Sequence, residues 1–416
     1  MSSPVSRHDP YAALRFSNFR NLMGGTFLIT CGLQMQRVAL GYSLYLITRD
    51  PLSLGLLGLA EAVPFMGLAL FGGHLADRRN KQRMMQMAGG VFLLGTLILL
   101  VASLPTVRVG LSDAAIAGLI YLVVFIEGLA RGIYSPANAS LKPFLVPREH
   151  YGSSATWSSM SWQSGAILGP ALGGFAFAAF GLPGTLAAVA LLIVANIVLI
   201  GAIRMPAAAL VRQTGEGVWR SLGEGLDYVW RTPIILYSIS LDMFSMLFGG
   251  VVAILPIFAE DILRVGPEGL GILRAAPAVG AVATMVLCAW FPPTRHAWRN
   301  LLWSVFGFGL ATLVFGLSTH FLVSVIALAA TGAFDSVSVI IRGTLLQTMV
   351  EDRMRGRVAS VNSVFVSASN ELGALESGVA AKLMGVVPSV VFGAFATFAT
   401  VGYVWRRSKA LLAVRL

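Results

Sequence analysis

The sequence predicts an all-α membrane protein in which twelve transmembrane helices form two pseudo-symmetric six-helix bundles. Of the 416 residues, 56% are hydrophobic and only 12% are charged, whereas a soluble domain carries about 25% charged residues. A helix needs roughly 20 apolar residues to cross a bilayer. Runs of suitable length follow one another along the chain: 19–48, 52–75, 84–104, 114–136, 152–180, 183–203, 233–259, 267–291, 300–318, 321–345, 357–384 and 388–405.

The distribution of positive charge predicts how these helices are oriented. Most of the 30 Lys and Arg residues lie at the two ends and in alternate loops, near 77–83, 142–148, 204–231, 295–299 and 353–357. Loops rich in Lys and Arg stay in the cytoplasm. We therefore expect a multi-pass protein of the plasma membrane, the inner membrane of a bacterium, with both termini cytoplasmic. Because the net charge of +11 is divided among loops, we expect no nucleic-acid partner.

The longest polar connection, 204–232, follows the sixth apolar run and predicts the domain boundaries. We expect an N-terminal bundle over 1–203, a cytoplasmic linker over 204–232 and a C-terminal bundle over 233–416. A faint internal repeat supports two related halves. A shift of 204 residues superposes three glycines of the first half on three of the second: 152 on 356, 169 on 373 and 174 on 378. Such repeats are typical of transporters in which one half rocks against the other.

A short charged loop separates the second and third apolar runs. It has the pattern Gly-x-x-x-Asp-Arg-x-x-Lys at Gly73, Asp77, Arg78 and Lys81, and Arg83 follows. This pattern resembles the loop between spans two and three of the major facilitator superfamily. The resemblance implies that the loop helps to gate the cytoplasmic side of the protein.

The resemblance also implies a partner for the loop. In the superfamily the loop's Asp approaches the start of the eleventh helix, here near Arg355 and Arg357, and helps to close the inner side. We carry that role to Asp77. The family usually has Gly where this chain has Asn80. Because Asn tolerates the left-handed backbone better than most residues, we expect the turn to be preserved.

A glycine motif in the fifth run resembles the signature of the superfamily's antiporters. It contains Gly165, Gly169, Pro170, Gly173 and Gly174. The first, second and fourth of these lie on one helix face and allow another backbone to approach closely, and the proline permits a kink. The eighth run, which is also rich in small residues, is the expected partner. Ordinary packing of small residues is the alternative.

Segments of the eleventh run narrow the resemblance to a branch of the superfamily. Residues 355–363, 369–373 and 376–378, together with the charged loop, resemble the enterobactin exporter and transmembrane secretion effector branch. The resemblance extends through nearly all spans. It implies the major facilitator fold of two six-helix bundles and says little about the substrate.

Ionisable residues inside the apolar runs are candidates for proton coupling, because a charge within the membrane needs a functional or structural reason. Glu127 and Arg131 lie four residues apart on one helix face, and Asp335 and Arg342 lie seven apart on another. We expect each couple to pair within its own helix. A purely structural ion pair is the alternative for both.

Four further charged residues complete this set of candidates. Arg37 and Glu61 fall in the outer halves of the first two runs and are expected to pair, as a functional or a structural ion pair. Asp242 lies within the seventh run, and Glu371 lies about 14 residues into the eleventh, close to the midplane at 1.5 Å per residue.

Five aromatic side chains are candidates for lining a hydrophobic substrate cavity: Tyr134, Trp157, Trp162, Phe244 and Phe248. Simple packing or a position in the interfacial aromatic belt is the alternative for each.

Several classes of function are excluded or disfavoured by what the sequence lacks. None of the four lysines follows a glycine, so a Gly-Lys-Ser/Thr phosphate loop is absent and no ATP is expected. The five histidines fall in loops or at span ends, and no metal cluster or Ser-His-Asp set is evident. We therefore expect no enzymatic activity and no cofactor, with the proton gradient as the energy source.

These observations favour a secondary active transporter that works by alternating access. The resemblance implies efflux by proton antiport of a small amphipathic molecule, such as a siderophore, a secreted metabolite or a drug. The expected partners are this small molecule, protons and the lipid bilayer, and a monomer is expected. Two alternatives remain open: a flippase for a lipid or lysophospholipid with the same fold, and a membrane sensor or scaffold that does not transport.

Overall fold

The computed structural model describes residues 11–78, 80–204, 218–291, 293, 295–409 and 411. Within these ranges the side chains of 69–78, 218–222, 289, 352, 353, 360 and 367 lie outside the description. The described residues are mostly helical and form no strands. The prediction of an all-α fold is therefore confirmed.

Twelve helices of more than eight residues account for most of the described chain. They are α1 Ser17–Thr48, α2 Pro51–Arg78, α3 Lys81–Ser103, α4 Asp113–Leu141, α5 Tyr151–Gly201, α6 Val218–Arg231, α7 Pro233–Gly249, α8 Gly266–Trp290, α9 Ala297–Leu317, α10 Phe321–Met349, α11 Asp352–Met384 and α12 Val386–Arg407. Shorter helical turns lie between them: Ala12–Arg15, Pro105–Arg108, Lys142–Phe144, Arg148–His150, Val252–Ile254, Leu255–Ile257 and Phe258–Ile262.

Nine helical segments of the described residues are long and apolar enough to cross a membrane. Helices α1 and α11 are not among the nine, and the segment Arg148–Gly201 is counted once although its 54 residues exceed the length of one span. The fold class is thus confirmed, whereas the count of twelve spans stays a prediction.

Helix α5 contains a break that the sequence signalled as a boundary between two runs. Gly181 has φ 64° and ψ −170°, a backbone conformation that residues other than glycine rarely adopt. The helix therefore consists of two arms, 151–180 and 182–201, which correspond closely to the fifth and sixth apolar runs.

The seventh apolar run is less regular than the sequence suggested. We expected one span over 233–259, but α7 ends at Gly249, and Gly250 has an extended conformation with φ −75° and ψ 96°. The glycine pair weakens the helix, and Pro256 then starts a new turn. The chain continues into the π-helical turn Phe258–Ile262, which carries two carboxylates toward the first half of the molecule.

The helices pack as two sets, with two principal crossings between them. In the first half α1 packs on α5, α2 on α4, and α3 on both α4 and α5. In the second half α8 packs on α10, α9 on α10 and α12, and α7 on α11 and α12. Helix α5 crosses α8, and α2 crosses α11, to join the two halves.

Glycines related by the internal repeat occupy equivalent positions at these crossings. A Cβ atom placed on Gly174 of α5 would lie 2.8 Å from the Cα of Gly271 in α8. One placed on Gly378 of α11, the position that the shift of 204 residues superposes on Gly174, would lie 2.9 Å from the Cα of Gly55 in α2. The two halves are thus joined by two related close approaches of backbone to backbone.

The remaining glycines of the α5 motif have a different partner from the one expected. A Cβ on Gly169 would lie 2.7 Å from the carbonyl oxygen of Cys31, and one on Gly173 would lie 2.8 Å from the Cα of Met35. Gly165 also packs against α1, near Cys31. This face of α5 therefore packs inside the first half, and Gly174 makes the expected contact with α8.

Polar contacts join the two halves at the outer face, by which we mean the face that the positive charges predict to be outside. Tyr42 and Tyr45 of α1 donate hydrogen bonds to Glu260 and Asp261 of the π-helical turn. Arg49 reaches the same Asp261 at 3.2 Å. These contacts tie the end of α1 to the second half.

A second ion pair lies on the same face. Lys382 of α11 donates to Asp50, which joins α1 to α2, with a distance of 2.6 Å between Nζ and Oδ2. The hydrogen bond from this ammonium group lowers the pKa of the Asp50 carboxyl from its usual value. Together with the glycine crossings, these contacts close the space between the halves toward the outer face.

We predict that Gly174→Leu opens this closure, because the new side chain cannot fit 2.8 Å from the α8 backbone. A cavity lies between the two halves, and Ala253 is part of its lining. In a background of Cys31→Ala and Cys288→Ala, a cysteine placed at Ala253 should react faster with a membrane-impermeant maleimide added outside. Gly118→Leu is the matched control, since nothing lies within 4 Å of a Cβ at Gly118. Equal labelling rates in the two variants would contradict the idea that the close approach at Gly174 keeps the outer face closed.

Candidate functional site

A cavity of about 350 Å³ lies between the two halves and is lined by residues of both. Its apolar lining includes Leu33, Leu40, Leu54, Leu57, Phe92, Val124 and Met246. Its polar lining consists of Gln34, Gln36, Arg37, Glu61, Glu127, Arg131, Arg274, Asn370 and Glu371. A mostly apolar cavity with a few convergent polar groups is typical of a small-molecule site, and charged groups at this depth mark it as a functional candidate.

The carboxylate of Glu61 is paired with two arginines. Arg37 of α1 donates to Glu61 of α2, as the sequence predicted. Arg131 of α4 donates to the same oxygen of Glu61 at 2.8 Å. Arg131 also lies 3.9 Å from Glu371 of α11, so this ion-pair network reaches across to the second half.

Glu127 is held by an amide instead of a cation. The Nε2 of Gln36 donates to both carboxylate oxygens, at 2.9 and 3.0 Å. Thr96 of α3 donates to the Oε1 of Gln36 at 2.8 Å, which turns the amide nitrogen toward Glu127. The side chain of Glu127 is buried, with the residue 9% exposed.

The expected pair between Glu127 and Arg131 is replaced by contacts between helices. Both residues lie on one face of α4, but Glu61 of α2 reaches Arg131 and Gln36 of α1 reaches Glu127. Spacing of four residues brings two side chains to the same face. It does not decide whether a neighbouring helix offers either of them a better partner.

Arg274 of α8 lines the cavity without an ion pair to any described carboxylate. Its Nη2 lies 3.5 Å from the carbonyl oxygen of Val252, at the limit of a hydrogen bond. Its Nε is buried and has no hydrogen-bond partner among the described residues. The sequence showed Arg274 near an apolar run, but its role in the cavity was not foreseen.

A second buried ion pair lies between α7 and α10. Arg342 donates to Asp242 at 2.6 Å, and the two side chains are 6% and 5% exposed. The Nε of Arg342 also donates to Ser338 at 3.2 Å. The expected partner of Arg342, Asp335, lies within electrostatic range of both residues without forming the pair. Again a residue on a neighbouring helix replaces the partner predicted on the same helix.

The five aromatic candidates are placed away from the central cavity. Asn196 donates to the hydroxyl of Tyr134 at 3.1 Å, inside the first half. Trp157 packs on Tyr11 with ring centroids 5.8 Å apart, and Trp162 is 54% exposed. The aromatic ring that lines the cavity is Phe92, which the sequence did not single out.

Phe244 and Phe248 line a different, almost wholly apolar cavity of about 640 Å³. It lies between α6, α7, α11 and α12, and its walls include Trp230, Phe365 and Tyr403. The two phenylalanine rings are stacked with centroids 6.3 Å apart.

The charged loop is described in part. Gly73, Asp77 and Arg78 belong to α2, and their side chains lie outside the described residues, as does all of Arg79. Asn80 has φ −67° and ψ 108°, so the expected left-handed conformation is wrong. Its side chain instead accepts a hydrogen bond from the backbone N–H of Arg83 and caps α3.

The other members of the proposed gate lie on the same predicted cytoplasmic side. Lys81 is 4% exposed, with its ammonium 5.4 Å from the centre of the Phe144 ring. Arg357 of α11 forms an ion pair with Glu224 of α6. Arg355 is exposed at the beginning of α11.

Comparison with known proteins decides the family. The model of the Major Facilitator Superfamily matches residues 22–374. This chain belongs to that family. It is a non-enzymatic transporter that crosses the lipid bilayer several times. Its substrate is therefore a small molecule. The described residues contain no group of three or more His, Cys, Asp and Glu side chains that could hold a metal ion.

Individual relatives agree with this assignment. The chain is 24% identical over 380 residues to the enterobactin exporter EntS of Shigella boydii, covering 91% of this chain and 88% of that protein. A D-xylose–proton symporter structure superposes with a TM-score of 0.72 at 13% identity, covering 96% of this chain and 100% of the other. A bacterial homologue of the iron transporter ferroportin, in an inward-facing state, gives a TM-score of 0.71 at 14% identity, with coverage of 96% and 99%.

The buried ion pair between Asp242 and Arg342 allows a test of how much it contributes to the stability of the protein. We predict that Asp242→Asn destabilises the protein by about 3–5 kcal/mol, because it leaves the Arg342 charge buried and unpaired. The double variant Asp242→Asn/Arg342→Gln should recover most of the lost stability. The measurement is thermal unfolding of the detergent-purified protein.

Asp113→Asn is the control for this test, since Asp113 forms an ion pair with Arg108 while its side chain is 65% exposed. This control should change the unfolding temperature little. A single variant as stable as the wild type, or a double variant no better than the single one, would contradict a structural role for the pair.

Proposed function

We propose that the protein exports a small amphipathic molecule in exchange for protons by alternating access, with Glu127 as the proton-binding carboxylate. The similarity to EntS, described as an enterobactin exporter, supports the outward direction. The central cavity, shared by both halves, supports a substrate site that opens in turn to either side. The positive charge in alternate loops supports a place in the bacterial inner membrane with cytoplasmic termini.

The contact between Glu127 and Gln36 carries the proposal. Removing a carboxylate from water costs several kcal/mol unless a cation and hydrogen bonds compensate. The amide of Gln36 supplies hydrogen bonds but no charge. The charged groups that act on Glu127 from neighbouring helices are Arg37 of α1 and Glu61 of α2, and their effects oppose each other. A proton on Glu127 removes the cost of an uncompensated anion when the cavity closes.

The other carboxylates are weaker candidates on the same criterion. Glu61 already has two arginine partners, and Asp242 has Arg342. Glu371 lies 3.9 Å from Arg131 across the two halves, so rocking of the halves changes its environment. Asp335 lies beside the second ion pair, outside the central site.

Alternation requires contacts that exist in one state and are broken in the other. The outer contacts of Tyr42, Tyr45 and Lys382 hold the outer side closed. We propose that Asp77 performs the corresponding task on the cytoplasmic side, near the beginning of α11. An anion near a helix N-terminus contributes about 0.3–1 kcal/mol, enough to bias a balanced equilibrium.

We predict that Glu127→Gln uncouples transport from the pH gradient. The substrate is first identified as the compound whose level in the medium falls when the gene is deleted and returns on complementation. In inside-out vesicles the wild type should accumulate this compound when the lumen is acidic. The variant should lose gradient-driven accumulation while it retains exchange of labelled for unlabelled compound, because an amide cannot bind and release the proton.

Asp335→Asn is the comparison variant, since Asp335 lies outside the central cavity. It should retain accumulation. Flux that is indifferent to the pH gradient in the wild type would contradict antiport. Full gradient-driven accumulation by Glu127→Gln would contradict the assignment of the proton site.

The apolar cavity at α6 and α7 favours lipid handling as a second candidate. Its volume of about 640 Å³ and its aromatic walls fit an acyl chain. In that case transport of lysophospholipids should depend on chain length and should fall when Phe248→Ala is introduced. Transport of a water-soluble compound without chain-length dependence would contradict it.

A further inference from the structure

We propose that the substrate is a zwitterionic amphipath whose carboxylate binds Arg274 and whose ammonium group binds Glu127. This inference deepens the export function proposed above and rests on the same cavity. It names the charges of the substrate and the two residues that receive them.

The charged groups of the cavity fall into two classes. Arg37, Glu61, Arg131 and Glu371 form one connected network of ion pairs. Glu127 and Arg274 stand outside it: among the described residues, neither has an oppositely charged side chain within 4 Å. The cavity therefore presents one negative and one positive group that the protein itself does not neutralise.

These two groups lie on opposite halves of the transporter. Glu127 belongs to α4 of the first half, and Arg274 belongs to α8 of the second. Both line the same cavity. A ligand that carries both charges and is long enough to reach both groups would connect the halves that move against each other during transport.

The surroundings of Arg274 indicate an anionic ligand. Its contact with the Val252 carbonyl is long, at 3.5 Å, and its Nε is buried without a partner. The charge of Arg37 repels the Arg274 guanidinium. The carboxylate of Glu61 attracts it without forming a direct ion pair. A carboxylate matches the planar guanidinium in geometry and charge, and would relieve the cost of this unpaired cation.

The surroundings of Glu127 indicate a ligand that donates hydrogen bonds to its carboxylate. Both oxygens already accept from the neutral Gln36 amide, and a carboxylate has lone pairs for further donors. An ammonium group there supplies the missing positive charge. It also competes with a proton for the same carboxylate, which is the relation that antiport requires.

The rest of the cavity determines the size and polarity of the part of the ligand between its two charged groups. Leu40, Leu54, Leu57, Phe92 and Val124 provide apolar walls. The volume of about 350 Å³ is at the low end for drug-sized ligands, so a compact apolar body is expected.

Equilibrium dialysis against the detergent-purified full chain tests this inference without any gradient. The probes are naphthylalanine, tryptophan and aminodecanoic acid, each as the zwitterion, the methyl ester and the N-acetyl derivative. At least one zwitterion should bind roughly tenfold more tightly than both of its derivatives, the scale expected for a charge-assisted hydrogen bond. Dialysis against empty micelles corrects for partitioning.

The variants assign each charge to its residue. Arg274→Gln should bind the zwitterion no better than the methyl ester, and Glu127→Gln should bind it no better than the N-acetyl derivative. Arg274→Lys should retain part of the preference for a carboxylate. Arg264→Gln, an exposed arginine of the same half, is the control and should bind like the wild type.

The outcomes separate this inference from the export proposal. If none of the three zwitterions binds, or if the esters or N-acetyl derivatives bind as tightly, the zwitterionic substrate is wrong, whereas proton-coupled export of another compound can still hold. If the zwitterions bind with the expected preferences but vesicles show no dependence on the pH gradient, the charge assignment stands and antiport fails.

Discussion

The position of Glu61 between two arginines is the interaction on which the central site depends. Its carboxylate accepts from Arg37 of α1 and from Arg131 of α4, so three helices of the first half are joined by ionic contacts within the membrane. Removing one partner leaves an uncompensated charge, at a cost smaller than for a fully buried pair because the Arg37 and Arg131 side chains are 36% and 34% exposed. Arg131 also faces Glu371 at 3.9 Å, and the network therefore extends to the second half.

Because Glu61 takes both arginines, the remaining charges of the cavity are left with weaker partners. Glu127 is held by the amide of Gln36, and Arg274 has a long contact with a carbonyl oxygen. These two groups are free to exchange partners without breaking the network that holds the helices together. We propose that the ion pairs maintain the fold, whereas these two charges are available to a proton and a ligand, and that this division of roles is the basis of transport.

The sequence predicted the helices well and the ion-pair partners of the buried charged residues less well. Long apolar runs predict helices because hydrocarbon excludes unpaired backbone groups, and the break at Gly181 and the repeat of Gly174 in Gly378 follow from local patterns. The pairs within α4 and α10 were wrong because helical periodicity tells which residues share a face, not which neighbouring helix meets it. The pair between Arg37 and Glu61 was found since adjacent runs are usually adjacent in space. The charge pattern alone does not reveal Gln36, although a polar residue within an apolar run indicates a buried hydrogen-bond partner.

The most direct test of the central claim measures protons at the moment of binding. The purified protein is kept in weakly buffered detergent solution with a pH indicator, and the transported compound identified from the medium is added to the wild type and to Glu127→Gln. If substrate replaces a proton on Glu127, the wild type should release protons in proportion to the compound bound, and the variant should bind without release. Binding without release in the wild type, or equal release from both proteins, would contradict the account.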